Sequence, residues 1–479
     1  MHTKPTLARS TPEDQGISSS SILQFLQSIE ENIQSFHSFM LLRHGFVVTE
    51  GWWHPYKREY PHMLFSLSKS FTSTAIGQAL SEGLLSLDDF VVDFFAKELP
   101  KQISTNLKAM RVRHLLSMST GHAEDTTPFM VRRKDKNWVR GFLTRPVKYE
   151  PGTHFLYNTG ATYMLSAILQ KLTGVTLLEY LRPRLFDPLG IQNPTWETCP
   201  RGINTGGFGL TITTEDIARF GQLYLQKGMW NGSQLLPESW VEQASRKQVS
   251  NGVNPDSDWE QGYGYQFWRC RYNIYRGDGA FGQYCIVMPE QDAVLAITSG
   301  VPDMQIVLNL VWEHLLPAFK PASLASDPST QRILTDKLND LCLPPMHGSR
   351  FSSKTASISG KRFLFEPNKE EFRWVSFDFS GDENTITFKK GRSVHQLKCG
   401  MYSWLEGTTS FQNGLTNRVA VSSAWTEPDS LSVKSAFTET PFITDMTFTF
   451  KDDLLLYGFS VNVNFEPTDP LRLVAHLEG

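Results

Sequence analysis

Residues 65–71 read Phe65-Ser66-Leu67-Ser68-Lys69-Ser70-Phe71 and open a predicted helix over residues 66–82, with Gly83 as its C-cap. Three residues make roughly one helical turn, so Ser66 and Lys69 share a face, about 5–6 Å apart. A serine hydroxyl is a poor nucleophile until a neighbouring base takes its proton. A lysine amine can do this if burial lowers its pKa, or it can stay charged and lower the pKa of a third group. The spacing therefore indicates an activated serine.

An isolated S-x-x-K pattern is weak evidence, because it arises roughly twice by chance in a chain of this length. Taken alone, it is more typical of an exposed lysine on an ordinary helix. Four further segments accompany it, and they follow in this order: Arg111-Val112-Arg113-His114-Leu115-Leu116-Ser117-Met118-Ser119-Thr120-Gly121-His122, then Pro151-Gly152 with Phe155-Leu156-Tyr157-Asn158-Thr159, then Phe186-Asp187-Pro188-Leu189-Gly190-Ile191, then Gly277-Asp278-Gly279-Ala280-Phe281-Gly282-Gln283.

Together these segments resemble the serine β-lactamase and penicillin-binding-protein superfamily over roughly residues 10–320. The resemblance implies that Ser66 is acylated, while Lys69 and Tyr157 share its proton. The backbone N–H of Ser66 lies at a helix start and is one natural donor to an oxyanion. The resemblance implies that the N–H of Ala280 is the second donor. No metal or organic cofactor is needed for this chemistry.

Two positions depart from the family pattern. The tyrosine motif usually ends in asparagine, and here it ends in Thr159, which keeps a hydroxyl but has no amide for a substrate carbonyl. The lysine of the family's K-T-G strand is replaced by Gly277, and Asp278 follows it. An aspartate would repel a substrate carboxylate. We therefore expect neutral or cationic substrates, and no β-lactamase is predicted. The Tyr157 arrangement resembles that of class C enzymes, esterases, D-aminopeptidases and nylon-oligomer amidases.

Further substrate-binding residues are predicted around the same strand. By the resemblance, Thr159, Asp278 and Gly279 lie at substrate-contacting positions. Tyr263 and Trp268, in a run of glycines and aromatic residues, could line the substrate cleft or equally pack in the core.

Length, composition and charge limit the classes of protein to which the chain can belong. The chain has 479 residues, 40% of them apolar and 20% charged, as in a globular protein of two or three domains. A formal charge of −3 gives no reason to expect nucleic acid or an anionic membrane as partner. The five cysteines lack metal-ligand or disulfide spacing, and no apolar signal core follows Met1. We expect no metal, no membrane span and a cytoplasmic location.

The secondary-structure pattern predicts an α/β fold. Hairpins over residues 38–53 and 283–299 should form an antiparallel sheet, with helices on it and an all-helical insert between them, as in β-lactamases and transpeptidases. We predict a catalytic domain over residues 1–320 and a linker over 321–345. Period-two strands, including one over 461–465, predict a β-barrel or sandwich over 346–479.

The sequence thus predicts a serine hydrolase that cleaves an ester or amide bond of a small molecule or peptide through an acyl-enzyme. The alternative is a non-catalytic relative that keeps the fold as a binding or assembly module. The intact Ser66, Lys69 and Tyr157 favour the enzyme. The C-terminal strands could act as a lid or as the contact surface of a homodimer.

Overall fold

The structure is a computed structural model that describes residues 7–379, 383–411, 416–466 and 469–479. In its N-terminal part the strands are β1 (Phe36–Arg43), β2 (Phe46–Trp52), β3 (His62–Met63), β4 (Thr195–Trp196), β5 (Leu210–Ile212), β6 (Met229–Trp230), β7 (Ser233–Gln234), β8 (Trp268–Arg269), β9 (Tyr275–Gly279), β10 (Gln283–Met288) and β11 (Ala293–Ser299). The helices there are α1 (Ser19–Asn32), α2 (Ser68–Ser81), α3 (Thr105–Ala109), α4 (Val112–Leu116), α5 (Thr127–Val131), α6 (Trp138–Leu143), α7 (Thr159–Thr173), α8 (Leu177–Leu181), α9 (Asp187–Leu189), α10 (Thr214–Leu225), α11 (Glu238–Ser245) and α12 (Met304–Leu310).

The central sheet is antiparallel, with strand order β2-β1-β11-β10-β9-β8. Both predicted hairpins are present as β1–β2 and β10–β11. Side chains alternate between the two faces of β1, as a strand requires. Met40 and Leu42 face the helical insert, whereas Phe39 and Leu41 face α1 and α12. The fold class is confirmed: a sheet built from both ends of this region, with helices on both faces. The insert was predicted to be all-helical, but it also contains the short sheet β3-β5-β4 and the pair β6-β7.

The insert contains the helices that carry the candidate catalytic residues. Helix α2 is preceded by a 3-10 turn at Phe65–Leu67, so regular helix begins two residues after Ser66. Helix α7 begins at Thr159 and ends at Thr173. Its C-cap is Gly174, whose φ of 75° is left-handed, as expected for a glycine at this position. Helix α10 starts with a capping box between Thr213 and Asp216.

Residues beyond 320 form two further helices and a separate β-barrel. The helices are α13 (Pro328–Asn339) and α14 (Thr355–Ile358). The strands are β12 (Arg362–Phe365), β13 (Phe372–Asp378), β14 (Asn384–Lys390), β15 (Ser393–Met401), β16 (Leu405–Thr409), β17 (Asn417–Glu427), β18 (Ser430–Ala436), β19 (Ile443–Lys451), β20 (Leu454–Val461) and β21 (Leu471–Leu477).

The barrel sheet has the order β15-β14-β13-β12-β21-β20-β19-β18-β17-β16, and a parallel pairing of β15 with β17 closes it. Alternate residues such as Val375, Phe377 and Phe388 fill its core. The C-terminal all-β prediction is therefore confirmed. The strand predicted over residues 461–465 is wrong beyond its first residue, because β20 ends at Val461 and the chain then leaves the sheet.

The barrel packs directly on the catalytic part of the chain. Trp404, Ala436 and Ile443 belong to the same buried cluster as the residues of α1 and β1. The indole N–H of Trp404 donates to the carbonyl of Leu343 at 2.8 Å. Residues 321–345, predicted as a linker, contain α13, which lies against α1. The domain boundaries stay a prediction.

Across the described ranges, none of the helices combines the length and apolar character that a membrane span needs.

Candidate active site

Ser66 and Lys69 are in direct contact at the start of α2. The Lys69 ammonium nitrogen lies 3.0 Å from the Ser66 hydroxyl oxygen. Phe65, immediately before the serine, has a φ of 47°, in the left-handed region that costs a non-glycine residue free energy. This conformation turns the chain sharply into α2, so the serine is partly exposed while Lys69 is only 1% exposed. The predicted serine–lysine pair is thus present in contact geometry.

The lysine is surrounded by uncharged oxygen atoms. Besides Ser66 it donates to the Thr159 hydroxyl at 3.2 Å and to the carbonyl of Gly207 at 2.8 Å. Burial lowers the pKa of Lys69 from its usual range to about 7, although the carboxylates of Asp125 and Asp278 oppose the shift. Near neutral pH a substantial fraction of the amine is therefore unprotonated and able to accept a proton.

Tyr157 lies against the same lysine, with the Lys69 nitrogen 4.8 Å from its ring centroid. Burial raises the pKa of the Tyr157 phenol well above its usual value. The Asp278 carboxylate adds to this shift, and hydrogen bonding to Ser66 opposes it. The phenol is therefore neutral at physiological pH. A neutral phenol can accept one proton while it donates its own, so Tyr157 is suited to relaying a proton and not to acting as the first base.

Tyr263 and Trp268 support the Tyr157 ring. Trp268 stacks on it at 5.2 Å between centroids, and Tyr263 meets it edge-on at 6.2 Å. Tyr263 is 1% exposed and Trp268 is 8% exposed, which leaves little of either surface for a ligand. Of the two predicted roles, cleft lining and core packing, the geometry fits packing that positions Tyr157.

Thr159 and Gly207 hold the other side of the lysine. Thr159, predicted to contact substrate, uses its hydroxyl to accept a hydrogen bond from Lys69. A methyl group added at Gly207 would lie 2.8 Å from the Thr159 side chain and 3.5 Å from the Lys69 nitrogen. A side chain at residue 207 would therefore displace the groups that hold the lysine.

Strand β9 forms the opposite wall of the site and approaches the serine through its glycines. A Cβ atom at Gly279 would lie 2.0 Å from the Leu64 carbonyl oxygen, so only glycine allows this approach. The next residue, Ala280, begins the turn to β10. In the described residues, the backbone N–H groups of Ser66 and Ala280 make no backbone hydrogen bond outside regular secondary structure. They are free to bind a substrate oxygen, as the predicted oxyanion hole requires.

Asp278 is buried on β9 and already has a cationic partner. Arg276, two residues earlier and on the same strand face, places its guanidinium 2.9 Å from the Asp278 carboxylate. Burial raises the pKa of Asp278, and the guanidinium opposes the rise. The carboxylate is close enough to Lys69 and Tyr157 to affect the pKa of each. Because Arg276 compensates its charge, Asp278 should repel a substrate carboxylate less than the unpaired aspartate expected from the sequence.

Three site residues did not emerge from the sequence: Asp125, Gly207 and Arg276. For Arg276 a signal existed, because a basic residue two positions before Asp278 in a strand points to the same side. For Gly207 the signal was the Gly206-Gly207 doublet. Asp125 follows no local pattern. In the described part of the chain, no group of three or more His, Cys, Asp or Glu side chains is arranged to hold a metal ion.

Comparison with known proteins agrees with this geometry. The Beta-lactamase family profile matches residues 33–304, more than half of the chain. The 6-aminohexanoate-dimer hydrolase of Paenarthrobacter ureafaciens is 24% identical over 299 residues, which cover 58% of this chain and 75% of that protein. The lovastatin esterase of Penicillium rubens is 28% identical over 152 residues, which cover 27% of this chain and 38% of that enzyme.

Among solved structures, the octameric penicillin-binding protein homologue from Pyrococcus abyssi has a similar fold, with a TM-score of 0.51 and 17% sequence identity. The alignment covers 95% of this chain and 99% of that one, so the likeness extends over the barrel as well as the catalytic part. The chain belongs to the beta-lactamase family of serine hydrolases.

Proposed function

We propose that this protein cleaves an ester or amide bond of a small molecule through an acyl-enzyme on Ser66. The observation that supports this most strongly is the 3.0 Å contact between the Ser66 hydroxyl and the Lys69 amine. Burial lowers the pKa of that amine to about 7. A base with a pKa near the working pH is the most effective proton acceptor.

In the first step, neutral Lys69 accepts the hydroxyl proton while the Ser66 oxygen attacks the carbonyl carbon. The carbonyl oxygen becomes negatively charged and is stabilised by the N–H groups of Ser66 and Ala280. Tyr157, which interacts with both Ser66 and Lys69, passes the proton to the leaving alcohol or amine. The leaving group then departs and the acyl group stays on the serine.

In the second step, water attacks the acyl-enzyme. Lys69 and Tyr157 take one proton from the water and return it to the Ser66 oxygen as the ester bond breaks. The products are a carboxylic acid and the regenerated serine, so atoms and charges balance without a further reactant. The substrate-binding roles predicted for Thr159, Asp278 and Gly279 belong to this proposal.

Relatives support the reaction class. One is named a 6-aminohexanoate-dimer hydrolase and another a lovastatin esterase. Strand β9 provides no free cation for a substrate carboxylate, because Arg276 is 0% exposed and paired with Asp278. We therefore propose an uncharged group next to the scissile bond. A homodimer remains part of the proposal, to be checked by light scattering.

A panel of p-nitrophenyl esters, aminoacyl p-nitroanilides and the β-lactam nitrocefin tests the proposal. We expect turnover of uncharged esters or anilides by the wild type and at least a 1,000-fold loss in Ser66→Ala, as for removal of an essential nucleophile. Hydrolysis of nitrocefin alone would contradict the substrate class. Equal rates in wild type and Ser66→Ala, with contamination excluded, would contradict the mechanism.

A further inference from the structure

The barrel contains an apolar cavity that the catalytic proposal does not use. Its volume is about 330 Å³, within the range of about 300–1,000 Å³ typical of small-molecule sites. Most of its wall is apolar, and the residues that line it include Phe372, Phe411, Phe437, Phe459, Val461 and Leu471. Glu370, Lys390, Thr444 and Asn464 add polar atoms. A cavity with this lining suits a ligand that is mainly hydrocarbon.

The cavity lies at one end of the barrel. Its lining residues come from the starts of β13, β19 and β21 and from the ends of β14 and β20. Because neighbouring strands are antiparallel, these strand ends lie together. The connections over residues 437–442 and 462–466 leave the barrel at this end. Both connections extend to the catalytic part of the chain.

Two phenylalanines on these connections contact the residues next to Ser66 and Ala280. Phe442, which also lines the cavity, lies 6.2 Å from Phe65 and 6.0 Å from Phe281 between ring centroids. Phe465 lies 5.8 Å from Phe65 and 4.9 Å from Phe281. Phe65 directly precedes Ser66, and Phe281 directly follows Ala280. We call these four rings the phenylalanine cluster.

The phenylalanine cluster extends from the cavity wall to the residues next to Ser66 and Ala280. One of its members, Phe442, is shared by the cavity wall and the contacts beside the serine. Another, Phe465, is a large apolar side chain that is 72% exposed although its ring contacts Phe65 and Phe281. An apolar ligand beside the serine would cover it, and that burial would be favourable.

Phe65 and Phe281 both have left-handed backbones, with φ of 47° and 69°. Such conformations in bulky residues persist only where surrounding contacts hold them. Here the barrel supplies part of those contacts, because Phe442 and Phe465 pack on both rings. The barrel thus packs on the residues next to Ser66 and Ala280.

We propose that the barrel is an acyl-chain subsite: the substrate is an ester or amide of a long, unbranched, uncharged acyl group, whose chain passes the phenylalanine cluster into the barrel cavity. This inference rests on the proposed function and specifies its substrate. Each methylene transferred from water to the cavity should raise kcat/KM by up to about fourfold, until the cavity is full.

A chain-length series of p-nitrophenyl esters from acetate to dodecanoate, assayed with the full-length protein, tests the subsite. We expect kcat/KM for the decanoate to exceed that for the acetate by at least 100-fold. Val461→Phe fills the cavity and should lower this ratio at least tenfold. Phe465→Ala should lower it severalfold. Val394→Phe makes the same change at a position on the barrel that is 53% exposed and outside the cavity, and it should leave the ratio unchanged.

A binding measurement separates the failure of the subsite from the failure of the catalytic proposal. The neutral fluorophore N-phenyl-1-naphthylamine should bind to the Ser66→Ala protein, and Val461→Phe in that background should weaken its binding at least tenfold, whereas Val394→Phe should not. Absence of binding, or equal binding in all three proteins, would overturn the subsite. So would a decanoate-to-acetate ratio near one. Loss of all ester turnover with normal probe binding would contradict only the proposed function.

Discussion

The start of α2 and strand β9 form two walls of the site, and each contains one buried cation. The two cations differ in the groups that contact them. On the helix wall, Lys69 is 1% exposed and donates only to neutral oxygens. On the strand wall, Arg276 is 0% exposed and touches the Asp278 carboxylate at 2.9 Å. Burial lowers the pKa of Lys69 to about 7. Burial alone would also lower the pKa of Arg276, but Cys270 and Asp278 raise it above its usual value.

The comparison shows that burial alone does not make a charged group reactive. Desolvation penalises both cations, but the two groups differ in intrinsic basicity and in the groups that surround them. A hydroxyl or carbonyl compensates the charge weakly, so the lysine can lose its proton. An arginine keeps its charge in proteins because the guanidinium is so strongly basic, and here the Asp278 carboxylate pairs with that charge. In the proposed mechanism, proton transfer therefore belongs to the helix wall, while the strand wall provides shape and one backbone donor, the N–H of Ala280.

The largest effect is expected from Lys69→Met, which removes the base and preserves most of the side-chain volume. We expect kcat/KM for a good ester substrate to fall by about 100- to 10,000-fold, the usual range for loss of a general base. Circular dichroism should show an unchanged fold. Retention of more than about a tenth of wild-type activity would show that another group accepts the serine proton.

On the strand wall, the main expected effect of Asp278→Asn is a loss of stability. The substitution leaves the Arg276 charge buried without its carboxylate, at a cost of about 3–5 kcal/mol in the free energy of unfolding. Urea denaturation measures this loss. Arg276→Met combined with Asp278→Asn should recover part of it, because no unpaired charge remains. A single Asp278→Asn protein as stable as the wild type would contradict the described pairing.

The fold and the catalytic pair could be predicted from the sequence for local reasons. A spacing of three residues on a helix fixes the distance between Ser66 and Lys69, and alternating apolar residues identify strands wherever they stay in the sheet. The Arg276–Asp278 pair was not predicted, because the comparison with the K-T-G strand concerned Gly277 and Asp278 and not the arginine that precedes them.

The strand predicted over residues 461–465 shows a different limit. Phe465 continues the period-two pattern of β20, but its apolar side chain packs on Phe281 of the catalytic part instead of the barrel core. A period-two pattern shows that a residue is apolar, but it does not show which residues pack against its side chain. The contacts that Phe442 and Phe465 make with Phe65 and Phe281 could therefore not be derived from the sequence.

The pH dependence tests the titration assigned to Lys69. A base must be unprotonated, so kcat/KM should fall as the pH drops below an apparent pKa of about 7, approaching tenfold per unit, and should level off above it. Because the Asp278 carboxylate raises the pKa of Lys69, its loss in Asp278→Asn should move the acidic limb to lower pH. A profile flat from pH 5 to 9 would contradict the assignment.

The smallest effect is expected from substrate charge. Since Arg276 already compensates Asp278, a substrate with a carboxylate beside the scissile bond should lose less than about tenfold in kcat/KM relative to the matched carboxamide. Steady-state kinetics on such a pair measures the difference. A larger penalty would mean that Asp278 acts as an uncompensated charge, and a preference for the carboxylate would mean that a cation is accessible in the cleft.

Covalent labelling tests the central claim most directly. A fluorophosphonate reacts with an activated serine and stays attached, so intact-mass analysis followed by peptide mapping identifies the nucleophile. We predict a single adduct on Ser66, absent in Ser66→Ala and formed at least 100-fold more slowly in Lys69→Met. An adduct on another residue, or labelling of Lys69→Met at the wild-type rate, would contradict the account of a serine activated by a buried lysine.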